Sequence, residues 1–117
     1  MYICPMHNKE LLKGTLKTII LKLLTEKGRM YGYEITQTVK SMTEGQIQLT
    51  EGALYPTLHK LEADGLVVTQ KEQIGKRVRK YYSLTPSGNK AAVNRVAEFE
   101  EFVRLIGLLL HPKKSLQ

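Results

Sequence analysis

Five of the 18 lysines and arginines of this 117-residue chain fall within ten consecutive positions: Lys71, Lys76, Arg77, Arg79 and Lys80, opposed there only by Glu72. Long cations packed this closely suit one chemistry, the neutralisation of a polyanion, because each phosphate they contact releases condensed counterions. The same run could also serve as a charged guard on an exposed strand edge. What tilts the reading toward nucleic acid is the stretch just before it. Residues 50–66 repeat leucine at 54, 58 and 61, one narrow apolar stripe at helical spacing. At 100° per residue, Gly52, Pro56, His59, Lys60 and Ala63 fall on the opposite side. A helix kept only for solubility would more often carry Glu and Lys on that side. Small residues with a few donors let a backbone enter a groove. Thr50, Gly52, Ala53, Tyr55, His59 and Lys60 are therefore the expected groove or rim contacts, and Lys76, Arg77, Arg79 and Lys80 the expected phosphate contacts. No Arg or Gln sits on the helix face for bidentate base reading, so specificity would lean on duplex shape and half-site spacing.

Other chemistries find no support. His7, His59 and His111 are scattered, and Ser41, Ser83 and Ser87 lack a nucleophile-elbow context. No Gly-rich phosphate loop and no zinc-ligand spacing occurs, so no catalytic residue, metal or cofactor is assigned. Cys4, Met6 and His7 are soft ligands close together, but no second cluster matches them. Cys4 is the single cysteine, which rules out a disulfide within the chain and fits a reducing, cytoplasmic setting. No apolar run reaches the length of a membrane span, and the first residues lack a signal-peptide layout. The formal net charge of +7 and pI of about 9.6 favour an anionic partner.

The elements that would position these residues can be read from periodicity. Residues 8–27 form a first helix, with Leu12, Leu16, Ile19, Ile20, Leu23 and Leu24 in a stripe that Leu11 and Leu21 widen. That width suggests a second contact, another subunit among the options. Residues 31–43 form a second helix, with Ile35, Val39 and Met42 on one face. Tyr31 and Tyr33 lie at its amino-terminal end, where free N–H groups and a phenol can hold a phosphate. Tyr33 is the expected contact, and Tyr31 is as readily a core-edge aromatic. Thr50 caps the third helix, with Leu49 and Leu54 at hydrophobic-staple spacing. Pro56 implies an irregular first turn or a bend. After Gly65 the period drops to about two, giving strands at 66–70 and 78–84 joined through a turn at Gly75. Thr85 and Pro86 open a last helix reaching about His111. In it Ala92, Val96, Phe99, Val103, Ile106 and Leu110 form a heptad seam. A helix of ~25 residues is ~37 Å long, more than so small a domain needs for its own cover. The expected division is therefore a domain at 8–85 and a dimerisation helix at 86–111, with Leu12, Leu16, Val96, Phe99, Val103, Ile106 and Leu110 at the interface.

Three helices followed by a hairpin make a winged helix-turn-helix, mainly α with a small β-hairpin, carrying a long C-terminal dimerisation helix. The residues also resemble the PadR-like transcriptional regulators, in the compact branch with a single C-terminal helix. The likeness runs from about residue 14 to 88. It rests on Gly14-Thr15-Leu16, Tyr31-Gly32-Tyr33-Glu34-Ile35, Thr50-Glu51-Gly52-Ala53-Leu54-Tyr55-Pro56-Thr57-Leu58, Leu61-Glu62 with Gly65-Leu66, and Arg79-Lys80-Tyr81-Tyr82-Ser83-Leu84-Thr85 with Gly88. The resemblance implies a cytoplasmic homodimer that binds double-stranded DNA at a near-palindromic operator, usually as a repressor. It also implies release by a small apolar or aromatic effector near the dimer interface. The chain has no tryptophan, which some members use against flat ligands. Phe99 is the seam aromatic able to stand in, besides its packing role. In that family Pro56 is at home in the third helix. The alternative is a winged-helix adaptor that binds a protein or small molecule without reading DNA, though five hairpin cations serve no purpose in one.

Overall fold

The computed structural model of the chain describes residues 9–112. The order of elements is α1 (Lys9–Lys27), β1 (Arg29–Tyr31), α2 (Gly32–Met42), α3 (Glu51–Ala63), β2 (Val67–Ile74), β3 (Arg77–Leu84) and α4 (Pro86–Leu110). The strands form one antiparallel sheet in the order β1-β3-β2. This is a mainly helical winged helix-turn-helix with a long last helix. Cys4, Met6 and His7 lie outside the described residues.

The core forms where the apolar stripes converge. Ile20, Leu24, Met30, Ile35, Leu54, Leu58, Leu61, Val67 and Tyr82 are all fully enclosed. Leu16 and Leu21 join them. Leu16, expected at a subunit interface, is 3% exposed and belongs to the core of its own chain. α1 packs against α3, β3 and α4 at once. Leu21 is therefore covered within the chain, whereas Leu11, on the other flank of the stripe, is 61% exposed. Leu12 is half-buried.

The sheet differs from expectation in two ways. The hairpin is longer, eight residues on each strand, with Ile74 opposite Arg77 across a two-residue turn. Gly75 takes φ +61° there, the left-handed conformation a tight hairpin turn asks of its first central residue. The third strand, β1, was not expected, and its last residue, Tyr31, was expected to open the second helix. The strand is three residues long with one buried side chain, Met30, too short for alternation to register. Its pairing, Tyr31 opposite Tyr81, is supplied by residues fifty positions away.

α3 runs unbroken through Pro56. The N–H that Pro56 lacks would have served the carbonyl of Gly52, in the exposed first turn where water can reach it. Leu49 and Leu54 are both buried, as a staple requires. At the other end Gly65, with φ +75°, closes a Schellman motif. The Leu66 N–H donates to the Leu61 carbonyl at 2.9 Å and the Gly65 N–H to that of Glu62 at 3.0 Å. α4 starts on this same turn. The Thr85 hydroxyl donates to the Gly65 carbonyl at 2.7 Å and accepts from the Gly88 N–H at 3.0 Å, and the Thr85 N–H donates to the Leu66 carbonyl at 3.1 Å.

Gly88 is the point of closest approach. A Cβ there would stand 1.9 Å from the Leu66 carbonyl oxygen, a backbone atom that cannot swing away. Gly88→Ala should therefore destabilise the chain by about 1–3 kcal/mol. Gly14 faces nothing within 4 Å inside α1, so Gly14→Ala should stabilise by about 0.5–1 kcal/mol. Urea unfolding of both variants checks this opposite pair of signs.

Candidate nucleic-acid interface

α3 turns Leu54, Leu58 and Leu61 inward. Gly52, Pro56, His59, Lys60 and Ala63 are all exposed on its other side. Ala53 and Tyr55 flank them, half-buried. Thr50 caps the helix as expected, its Oγ1 accepting the Ala53 N–H at 3.2 Å, so this hydroxyl is partly committed to its own backbone. Lys60 carries only an exposed pairing with Asp64 at 3.3 Å, too weak to hold it from another anion.

Tyr55 was expected among the groove contacts. It instead leans toward α2, where its phenol lies against Gly32: a Cβ built on Gly32 would come 2.3 Å from the Tyr55 hydroxyl oxygen. The tyrosine thus fills the space a side chain would occupy at the start of α2. Both residues line a cleft of about 270 Å³ with Tyr33, Thr36, Gln37, Lys40, Gln48 and Glu51. Tyr33 is 64% exposed on that cleft, in the first turn of α2 where a phenol can meet a phosphate. Tyr31 precedes it and is half-buried, and its N–H donates to Glu34 Oε1 at 3.3 Å.

The pleat divides the hairpin cations between two faces. Val67, Thr69, Lys71, Lys80 and Tyr82 share the inner face, as the register and the burial of Val67 and Tyr82 require. The Thr69 hydroxyl donates to Glu62 Oε2 of α3 at 3.3 Å, so the inner face looks toward α3. Lys71 and Lys80 stand directly opposite each other on it, and the Lys80 ammonium lies 5.6 Å from the Tyr82 ring centroid. Like charges set face to face repel, and an anion between or beside them would relieve that. Lys76 and Arg77 occupy the exposed tip. Arg79 is on the outer face, half-buried, with its guanidinium 4.0 Å over the Tyr31 ring and donating to the Tyr81 hydroxyl at 3.4 Å. Arg79 and Lys80 are neighbours in the basic run, but the pleat puts them on opposite faces of the sheet. Arg29, beside it, was not singled out. It lies 4.0 Å over Tyr81 and is paired with Glu72, whose carboxylate holds the guanidinium above its ordinary range.

Of the residues expected at a subunit interface, Val96 and Ile106 are half-buried, while Phe99, Val103 and Leu110 are exposed. Only Gly88 and Ala92 of the 25 residues of α4 are buried. Glu100, Glu101 and Arg104 give the next turn a charged side, and from 105 to 110 the helix is apolar, with Phe102, Leu105, Leu108 and Leu109 exposed as well. A second groove, of about 560 Å³, runs between α1 and the start of α3, lined by Leu12, Leu16, Ala53 and Pro56 with Lys9 and Lys13. Phe99 lines neither cleft. Among the described residues no three His, Cys, Asp or Glu side chains gather as a metal site, and no helix is long and apolar enough to cross a membrane.

A three-stranded sheet whose hairpin flanks an α2–α3 pair, with α3 bare on one side, defines a winged helix-turn-helix regulator. A family model for the transcriptional regulator PadR-like family matches residues 20–94. The chain is 33% identical over 108 residues to a protein of Lysinibacillus sphaericus, covering 90% of this chain and 96% of that one. It is 42% identical over 57 residues to a transcriptional regulator of Mycobacterium tuberculosis, covering 49% and 53%. Among solved structures, a transcriptional regulator from Clostridium thermocellum matches with a TM-score of 0.80 at 30% identity, over 90% of this chain and 100% of that one. A PadR family regulator from Eggerthella lenta matches with a TM-score of 0.73 at 31% identity, over 89% and 88%. The chain belongs to the PadR-like family of transcriptional regulators.

The Gly32–Tyr55 contact can be tested by a double-mutant cycle. Gly32→Ala should cost about 1–3 kcal/mol, because the phenol must leave its seat. In a Tyr55→Leu background the same change should cost less, with a coupling of about 0.5–3 kcal/mol. Thermal unfolding of the four proteins measures it.

Proposed function

We propose that the chain is a homodimeric repressor that binds a near-palindromic operator in double-stranded DNA. The observation that carries this reading is the bare side of α3. Its exposed residues are small or donor-bearing, and Lys71 and Lys80 of the wing lie on the sheet face that looks toward α3. α3 enters the major groove through Thr50, Gly52, Ala53, His59 and Lys60. Tyr33 reaches the adjoining backbone. Lys76 and Arg77 at the wing tip, with Lys71 and Lys80, bind phosphates or the edge of the minor groove. Tyr55 acts from behind, by holding α3 against α2.

Two chains join along α4. The exposed seam of Phe99, Val103 and Leu110, with Phe102, Leu105 and Leu109 around it, is more apolar surface than a soluble monomer commonly leaves uncovered. The half-buried Leu12 at the other end of α1 extends the same interface. The two-fold axis then sets half-sites about one or two turns apart, ~10 or ~20 bp between centres. A small apolar or aromatic effector bound near the joined helices, with Phe99 against it, would release the DNA.

The charge placement predicts the salt dependence. Replacing Lys76 and Arg77 together by Ala should weaken binding to all duplexes alike and flatten the slope of log affinity against log salt by about 2. A gel shift across a salt series reads this, and an unchanged slope removes the wing tip from the contact list. Sedimentation tests the dimer: Val103→Glu with Leu110→Glu should leave the wild-type dimer as monomers. A wild-type chain that sediments as a monomer at micromolar concentration contradicts the assembly.

A further inference from the structure

We propose that Arg79 and Arg29 are positioning residues: stacked crosswise on Tyr31 and Tyr81 and closed by Glu72, they clasp the wing at a fixed angle to the α2–α3 pair, and Arg79 carries no phosphate. The inference rests on the DNA-binding reading above for its effect on affinity, though not for the clasp itself.

The arrangement is reciprocal. Arg29 of β1 lies 4.0 Å over Tyr81 of β3, and Arg79 of β3 lies 4.0 Å over Tyr31 of β1. The two rings, directly opposite in the register, meet edge to face at 5.6 Å and 82°. Arg29 then reaches past the central strand to Glu72 on β2. One cluster therefore ties all three strands on the outer face. Guanidinium groups suit the task because they are planar and stack on rings while keeping in-plane donors, which an ammonium does not do.

Its location gives it leverage. β1 pairs only with residues 81–83, so from Lys71 and Lys80 outward the wing is a two-stranded ribbon. Such ribbons twist most and are marginal on their own. Glu72 and Arg79 face each other at the base of that ribbon. The fixed end of the clasp is Tyr31, the residue that caps α2. The angle of the wing is thus set against the helix pair that would meet the duplex. Lys71 and Lys80 share the face that looks toward α3, and Arg79 has its back to it.

The test uses the full chain and a duplex that the wild-type chain itself selects from a random pool. Arg79→Lys keeps the charge and loses the stack. It should lower affinity by about three- to tenfold with the salt slope unchanged. Glu72→Gln removes a negative charge from a cationic wing, so bulk electrostatics would tighten binding, whereas an opened clasp weakens it. Tyr31→Phe keeps the ring and should bind as wild type, and Tyr31→Leu should match Arg79→Lys. Thermal unfolding shows whether each variant is folded. If Arg79→Lys binds as wild type and Arg79→Ala flattens the salt slope by about one, Arg79 is a phosphate contact and the proposal is overturned. If the wild-type chain binds no duplex, the DNA reading fails instead. The clasp is then read from amide hydrogen exchange in the free protein. Exchange across residues 71–80 should quicken in Arg79→Lys and Glu72→Gln but not in Tyr31→Phe, and unchanged exchange overturns the clasp.

Discussion

Tyr55 can lie across the start of α2 only because Gly32 has no side chain there. The phenol thereby fixes one point of contact between α3 and the start of α2. The buried leucines of α3 would pack against many surfaces, since apolar burial has no strong directional preference. A phenol seated on a glycine has direction. The far end of α3 is held as firmly, by the Gly65 turn on which Thr85 and Gly88 start α4. Between these two anchors the helix has little freedom to roll, and its exposed residues are presented as a set.

The wing is held by a different kind of contact. Outside the core it has two strands and no apolar face to bury, so polar and aromatic groups at its base must fix its course. The outer face carries stacked arginines and tyrosines there, and Lys71 and Lys80 stand on the inner face. The alternation of the strand sorts the basic run between two faces, with Arg79 stacked on the outer one and Lys71 and Lys80 on the inner. α4 repeats the theme of division along its length. Its first turns are locked to the body, and its later turns leave apolar side chains exposed on most sides, as expected of a helix that needs a partner.

Much of this was legible in the order of residues. The α3 boundaries follow from Thr50, Gly65 and the leucine spacing, all local signals, and the exposed side followed from the same period. The apolar spacing of α4 is a local signal of the same kind, and the structure leaves Phe99, Val103 and Leu110 of it exposed. What escaped were facts made by pairing over distance. β1 has one buried residue and owes its existence to β3. The contacts of Tyr55 with Gly32 and of Arg79 with Tyr31 join separate elements, so the expectation of a groove contact at Tyr55 and a phosphate contact at Arg79 came without them. Leu16 is buried because later elements, α3, β3 and α4, pack against α1, and a local period shows the width of a stripe without showing what covers it. Arg29, isolated in sequence from the basic run, gave no signal until Tyr81 and Glu72 were seen beside it.

The central claim is that α3, so held, inserts its small side into a major groove. Methylation interference on the selected duplex addresses it most directly, since guanine N7 lies in the major groove and adenine N3 in the minor. The account predicts that N7 methylation within each half-site blocks binding, and that N3 methylation interferes only at the flanks where the wings lie. Binding that tolerates N7 methylation throughout the site while remaining salt-dependent would contradict it.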